Sequence, residues 1–203
     1  GGLFTFDPEY VDPRRTYSPD FRRWGGGSLT AQNQRLLAWP LLKSGDFDLM
    51  KPQLDFYLRA LGNAEARARV YWGVQGACFA EQIEHFGLPV GYEYGWNRGP
   101  AIEPGVEDNA WVNYQWDTVF EFCKMILDLR TYSGRDIREY LPLIESCLTF
   151  YNEFYPLQEQ KRSGRPFSED GKLVLFPGTA LETYKDALNP SSTLAALRGV
   201  LTS

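Results

Sequence analysis

The groups in this chain best equipped for chemistry are its carboxylates. There are 26 acidic residues, and those at expected helix starts or in long loops are placed to reach a cleft: Asp46, Asp48, Glu93, Glu103, Glu107, Asp108, Glu169 and Glu182. Two carboxylates facing each other can act as an acid–base pair. Hydrolysis of a glycosidic bond needs such a pair: one protonates the departing oxygen, and the other activates a water or attacks directly. Each of these residues serves equally as surface charge or helix cap, so composition alone does not choose among them. Glu182 has favourable surroundings. It follows an expected strand and turn, and Ala180 and Leu181 precede it, so partial burial that would raise its pKa is expected there.

Other chemistries are disfavoured. A single histidine, His85, rules out a site built on several imidazoles. It falls near an expected helix end, where a dipole-stabilised surface ring is the plain reading. Cys78, Cys123 and Cys147 lie far apart in apolar helical patterns and read as buried thiols, with no metal site expected. Gly25-Gly26-Gly27 lacks the Lys-Ser/Thr and the preceding strand of a phosphate loop; glycines there let backbone approach a ligand or helix closely. The net charge of −5 and the lack of a basic run argue against nucleic acid as a partner. No stretch is apolar enough to span a membrane, and the first residues do not read as a signal peptide. No cofactor is expected. Aromatic residues make up 15% of the chain, enough both to fill a core and to line a groove that stacks on sugar faces.

The elements that must position these groups are mostly helical. Residues 1–28 are rich in Gly, Pro and aromatics and read as an irregular entry segment; residues 29–203 read as the folded body. A first helix is expected from Thr30 to about Lys43, and a second from Asp46 to about Leu61. Gly62-Asn63 is expected to break the chain before a third helix, from Ala64 to about Phe86. Residues 88–106 form a Gly/Pro-rich loop long enough to be functional; Trp96, Asn97 and Arg98 on it are candidates for substrate contact. A fourth helix is expected over Asn109–Tyr132, with apolar residues at i, i+3, i+4 spacing, and a fifth from Asp136 to about Phe154. A surface β-hairpin is expected within 160–180, and a last helix opens at Asn189-Pro190. Long helices joined by short loops imply antiparallel hairpins. Three such hairpins leave an open end, so the chain reads as part of a larger toroid.

The stretch from Trp24-Gly25-Gly26 to Trp39-Pro40 resembles glycoside hydrolase family 95, inverting α-L-fucosidases and α-L-galactosidases built on an (α/α)6 barrel. In that family a Trp-Gly pair precedes an Asn-x-Asn element and then Tyr-Trp-Pro, and the distance from Trp24 to Trp39 matches without a gap. The segment from Asn33 to Gln53 is still closer to uncharacterised bacterial relatives of the family. Trp111–Trp116 (W-V-N-Y-Q-W) resembles the start of the family's following hairpin. Phe176-Pro177-Gly178-Thr179-Ala180-Leu181-Glu182 resembles its Pro-Ser-x-Ser-Pro-Glu element. The likeness covers about 24–203, with gaps.

This resemblance implies an all-α fold of (α/α)6 hairpins with a small β-hairpin insertion, a carbohydrate substrate with a terminal fucose- or galactose-like sugar, and, from such bacterial relatives, a periplasmic or secreted setting. It places the general acid at Glu182. Asn33 falls on the second Asn of the water-holding pair, while Ala31 stands where the first would be. The family's catalytic Asp would lie beyond Ser203, which leaves the base unassigned. Beside the glycine run, Trp24 suits either stacking on a sugar ring or packing, and Gln32, Gln34 and Arg35 are nearby polar groups suited to binding sugar hydroxyls. Two other readings stay open: a toroid-type polysaccharide lyase, and a non-catalytic glycan-binding helical module.

Overall fold

The structure is a computed structural model, and it describes residues 29–203 except residue 96. The expectations for the entry segment 1–28, with Trp24 and Gly25–Gly27, and for Trp96 lie outside the described residues. The described chain is mostly helical, with two small antiparallel two-stranded sheets. In order it runs β1 (Leu29–Thr30), α1 (Ala31–Ser44), α2 (Phe47–Trp72), β2 (Gln82–Ile83), the single turn α3 (Gly91–Tyr94) and α4 (Val119–Ser133). Then come α5 (Leu141–Ser163), the hairpin strands β3 (Gly178–Ala180) and β4 (Tyr184–Ala187), and α6 (Ser191–Leu201).

Helix α4 is the hub. Val119, Phe120, Phe122, Cys123, Met125, Ile126 and Leu129 are buried around most of its circumference, as expected of a helix enclosed by others. It packs against α1, α2, α5 and α6. Beside it, Trp72, Trp116, Phe150 and Phe154 form a four-ring cluster in which every ring lies 5.1–5.7 Å from the other three. Much of the aromatic excess is therefore core. All three cysteines are free and buried, as expected.

Several boundaries differ from the sequence expectation. Gly62-Asn63 breaks nothing: α2 continues to Trp72, because Leu54, Tyr57, Ala60, Ala64 and Ala68 form one buried stripe that keeps its phase through Gly62. A mid-helix glycine costs only about 1 kcal/mol relative to alanine, less than that stripe gains. The expected third helix to Phe86 stops at Gly73, which is left-handed at φ 69° and donates its N–H to Arg69 O. From there the chain runs non-helically to β2, and exposed His85 sits in a turn rather than at a helix end. The expected fourth helix begins at Val119, not Asn109. The residues before it make separate tight turns, with Val112 donating to Asn109 O and Gln115 to Val112 O, yet Val112, Trp116 and Val119 are buried as their spacing requires. The fifth helix begins after a 3-10 turn at Arg138–Tyr140. It runs past Phe154 and through Pro156 to Ser163, where left-handed Gly164 closes it. The expected hairpin at 160–180 lies instead at Gly178–Ala187, and Leu173–Phe176 is not a strand.

Candidate functional site

The site is built on the first turn of α1. Four N–H groups at a helix start need acceptors from outside the helix. The N-cap residue Thr30 supplies none from its side chain. Glu81 does so instead: its backbone carbonyl accepts from the Ala31 N–H at 3.0 Å, and its carboxylate Oε1 accepts from the Gln32 N–H at 3.1 Å. The pairing of β1 with β2 (Leu29 opposite Ile83, Thr30 opposite Gln82) places Glu81 there. Charge complementarity favours this arrangement, since a helix N-terminus carries partial positive charge. Glu81 is only 1% exposed.

Gln32 then reaches the other way. Its side-chain Nε2 donates to Glu182 Oε1 at 3.0 Å. Glu182 stands at the tip of the β3–β4 hairpin, where Thr183 N–H donates to Ala180 O at 2.9 Å. The two central residues, Leu181 and Glu182, have φ of 50° and 57°. Positive φ at both central positions marks the type I′ turn, which favours Asn-Gly because side chains clash there. Leu-Glu in these places stores strain, which accumulates at functional sites where the surroundings enforce it. The surroundings here do so. Thr179 Oγ1 donates to Asn113 Oδ1 (3.0 Å) and accepts from Tyr114 N–H (3.2 Å), clamping the hairpin to the W-V-N-Y-Q-W segment. Asn189 and Leu175 exchange two 2.8 Å bonds at its base. Leu181→Asn should raise stability by about 1 kcal/mol; urea denaturation showing no gain would contradict the assigned strain.

The structure therefore brings Gln32 and Glu182 together, with Asn33 the next residue on the same helical turn. Among the described residues no hydrogen bond involves the Asn33 amide. One expectation is corrected, and the remaining candidates have the following surroundings. Glu182 is exposed rather than partly buried, because the turn carries its tip clear of the helices. Gln34 is buried and accepts from Gln53 Nε2 at 2.9 Å, tying α1 to α2. Arg35 pairs with Glu121 at 2.5 Å, and Trp39 Nε1 donates to the same carboxylate at 2.7 Å, tying α1 to α4. Asn97 is exposed. Arg98 turns inward, donating to the carbonyls of Tyr94, Glu103 and Val106 and stacking 4.1 Å from the Tyr94 ring; it organises its own loop. Glu107 is a buried partner of Arg67, and Asp48 pairs with Arg135.

Three buried carboxylates, Glu81, Asp117 and Glu159, are not among the candidates the sequence offers, and the first two stand just before β2 and α4. Glu81 was concealed inside the expected third helix; Gly73 and Gly76, three residues apart, were the available signal that the helix ends before it. Asp117 lies in the expected fourth helix. Burial pushes its carboxyl up, the neighbouring Glu121 charge adds to this, and the hydrogen bond from Thr193 opposes it. It accepts from Thr193 Oγ1 at 2.8 Å and so ties the start of α4 to α6. Among the described residues no group of three His, Cys, Asp or Glu could hold a metal ion, and no helix is long and apolar enough to cross a membrane. Comparison with protein-family models, with curated proteins and with solved structures finds no match for this chain.

Proposed function

We propose that this chain is part of a glycoside hydrolase, inverting in stereochemistry, that removes a terminal fucose- or galactose-like sugar from a complex glycan. Its helical hairpins belong to an (α/α)6 toroid of the family 95 type, and exposed Leu36, Leu37 and Leu49 on α1 and α2 are faces that further hairpins of the toroid cover. The observation that carries the reading is the meeting of Glu182 with Gln32. A strained, clamped turn holds a carboxylate against the helix start where the resemblance puts the substrate wall. Glu182 protonates the leaving oxygen, and a bound sugar supplies the burial that the free hairpin lacks. Asn33 and Gln32 hold the water and the sugar hydroxyls.

The test is turnover of a panel of aryl glycosides by the full-length protein and by Glu182→Gln. Loss of a general acid should lower kcat by about 10²–10⁴-fold, with a smaller loss for dinitrophenyl leaving groups, which depart without protonation. Equal turnover of phenyl glycosides by both proteins would remove Glu182 from the mechanism. The exposure of Glu182 favours one second reading, a glycan-binding module without turnover; glycan binding with no released sugar, unchanged in Glu182→Gln, would establish it.

A further inference from the structure

We infer that the cavity at the C-terminal end of α1 is a second glycan-binding site, one that holds a neutral sugar without cleaving it. It goes beyond the glycosidase reading and uses none of the groups assigned there. The cavity measures about 640 Å³, within the range of about 300–1,000 Å³ that small-molecule sites occupy. Trp39, Lys43, Ser44 and Phe47 line it from the α1–α2 turn, and Tyr132 lines it from the last turn of α4. Lys43 stands about 16 Å along the helix axis from Gln32, at about 1.5 Å per residue, so the two sites lie at opposite ends of α1.

The aromatic walls are held in place. Trp39 Nε1 donates to Glu121 at 2.7 Å, which fixes its ring. Asp48 and Arg135, paired at 2.6 Å, link the α1–α2 turn to the chain that follows α4. Tyr132 is 64% exposed, so its ring is open to a ligand. The C–H face of a sugar carries slight positive charge and lies well against the negative face of an aromatic ring. The hydroxyl edge of the sugar then needs donors and acceptors together. Among the described residues the Lys43 ammonium and the Tyr132 hydroxyl have no partner within the protein. Leu41 O accepts from the Gly45 and Asp46 N–H groups, which leaves the Leu42, Lys43 and Ser44 carbonyls as the open acceptors of the helix end.

The charges disfavour other ligand classes. A cation would meet Lys43, and the Arg135 guanidinium already lies 5.5 Å from the centre of the Phe47 ring, where a cation would sit. An anion would meet Asp46 and the negative end of α1. A wholly apolar molecule would strip water from the ammonium and the carbonyls without replacing its bonds. A neutral sugar meets none of these penalties. The cavity is also not an edge awaiting a further hairpin of the toroid, since the α1–α2 turn and the end of α4 already flank it.

The experiment titrates fucosyllactose and lactose into full-length Glu182→Gln protein, with and without Tyr132→Ala, and reads binding by saturation-transfer NMR. Tyr132→Ala should weaken binding about tenfold, and Tyr132→Phe, which keeps the ring, should lose less. With Glu182 intact, neither change should alter kcat on aryl glycosides. Unchanged binding in Tyr132→Ala, or no binding of either sugar at millimolar concentration, would overturn the site. So would binding of tetramethylammonium or anilinonaphthalene sulfonate in place of both sugars. Turnover tests the catalytic reading separately. An inactive wild type that still binds sugar through Tyr132 defeats that reading and leaves this site standing; an active wild type without Tyr132-dependent binding does the reverse.

Discussion

Gly76→Ala should destabilise the fold by more than about 4 kcal/mol, the range reserved for a named steric or burial defect. Gly76 has φ 87°, and a Cβ placed on it would lie 2.2 Å from Phe150 N, 2.4 Å from Ser146 O and 2.7 Å from Phe150 Cα. These are backbone atoms of α5, which cannot rotate aside. The contact is bonded on both sides: Ala77 N–H donates to Ser146 O at 2.9 Å, and Gln75 N–H to Glu153 Oε2 at 2.6 Å. Gly73→Ala is the control. It shares the left-handed backbone (φ 69°), but nothing lies within 4 Å of its Cβ position, so its cost should be only the left-handed penalty of about 1–2 kcal/mol. Urea denaturation of both variants measures the difference; equal costs would mean that the close approach to α5 is not real. The segment that crosses α5 at Gly76 also delivers Glu81 to the start of α1, so a variant that still folds should loosen that helix cap as well.

What the sequence made legible follows from which signals are local. Helix ends at Gly45, Gly134 and Gly164 are left-handed caps, and the first two stand where glycine placement alone predicts a stop. α6 opens one residue later than Asn189-Pro190 suggests: Pro190 is its N-cap, and the Asn189 side chain accepts from Leu175 N–H instead of capping the helix. Gly62 and Gly76 could not be told apart by type. Gly62 has nothing within 4 Å and sits in a continuous helix, whereas Gly76 meets another helix's backbone, and that distinction belongs to the tertiary structure. Pro156 misleads in the same way: the buried run Phe150, Tyr151, Phe154 and Tyr155 holds α5 together across it. For the candidate site, the resemblance and the turn residues point to Glu182. Glu81 stays hidden in the sequence, because a carboxylate in an expected helix looks like surface until the chain leaves the helix at Gly73. Arg35 and Arg98 read as substrate contacts by type, and an arginine's type does not reveal whether its donors are already satisfied inside the protein.

Arg67→Met should cost about 3–5 kcal/mol, the penalty for removing one partner of a buried ion pair and leaving the other charge uncompensated. Arg67 and Glu107 side chains are each 1% exposed, 3.2 Å apart. The guanidinium also donates to Gly105 O at 2.8 Å and Cys78 O at 3.2 Å, and it lies 5.5 and 5.6 Å from the ring centres of Trp72 and Trp116. One side chain therefore joins α2, the 103–107 turns, the segment leading to Glu81 and the aromatic cluster. Burial pushes the Cys78 thiol up to about 12 even though the adjacent Arg67 charge opposes it, so the thiol does not serve as a counter-ion for Arg67 near neutral pH. That role falls to Glu107. The double variant Arg67→Met/Glu107→Gln should therefore lose less than the two single changes added together, because neither charge is left alone. Denaturation followed by the fluorescence of the tryptophans beneath the guanidinium reads both quantities. Additive costs in that cycle would mean that the pair is not coupled, and that the carbonyl bonds rather than Glu107 hold Arg67 in the core.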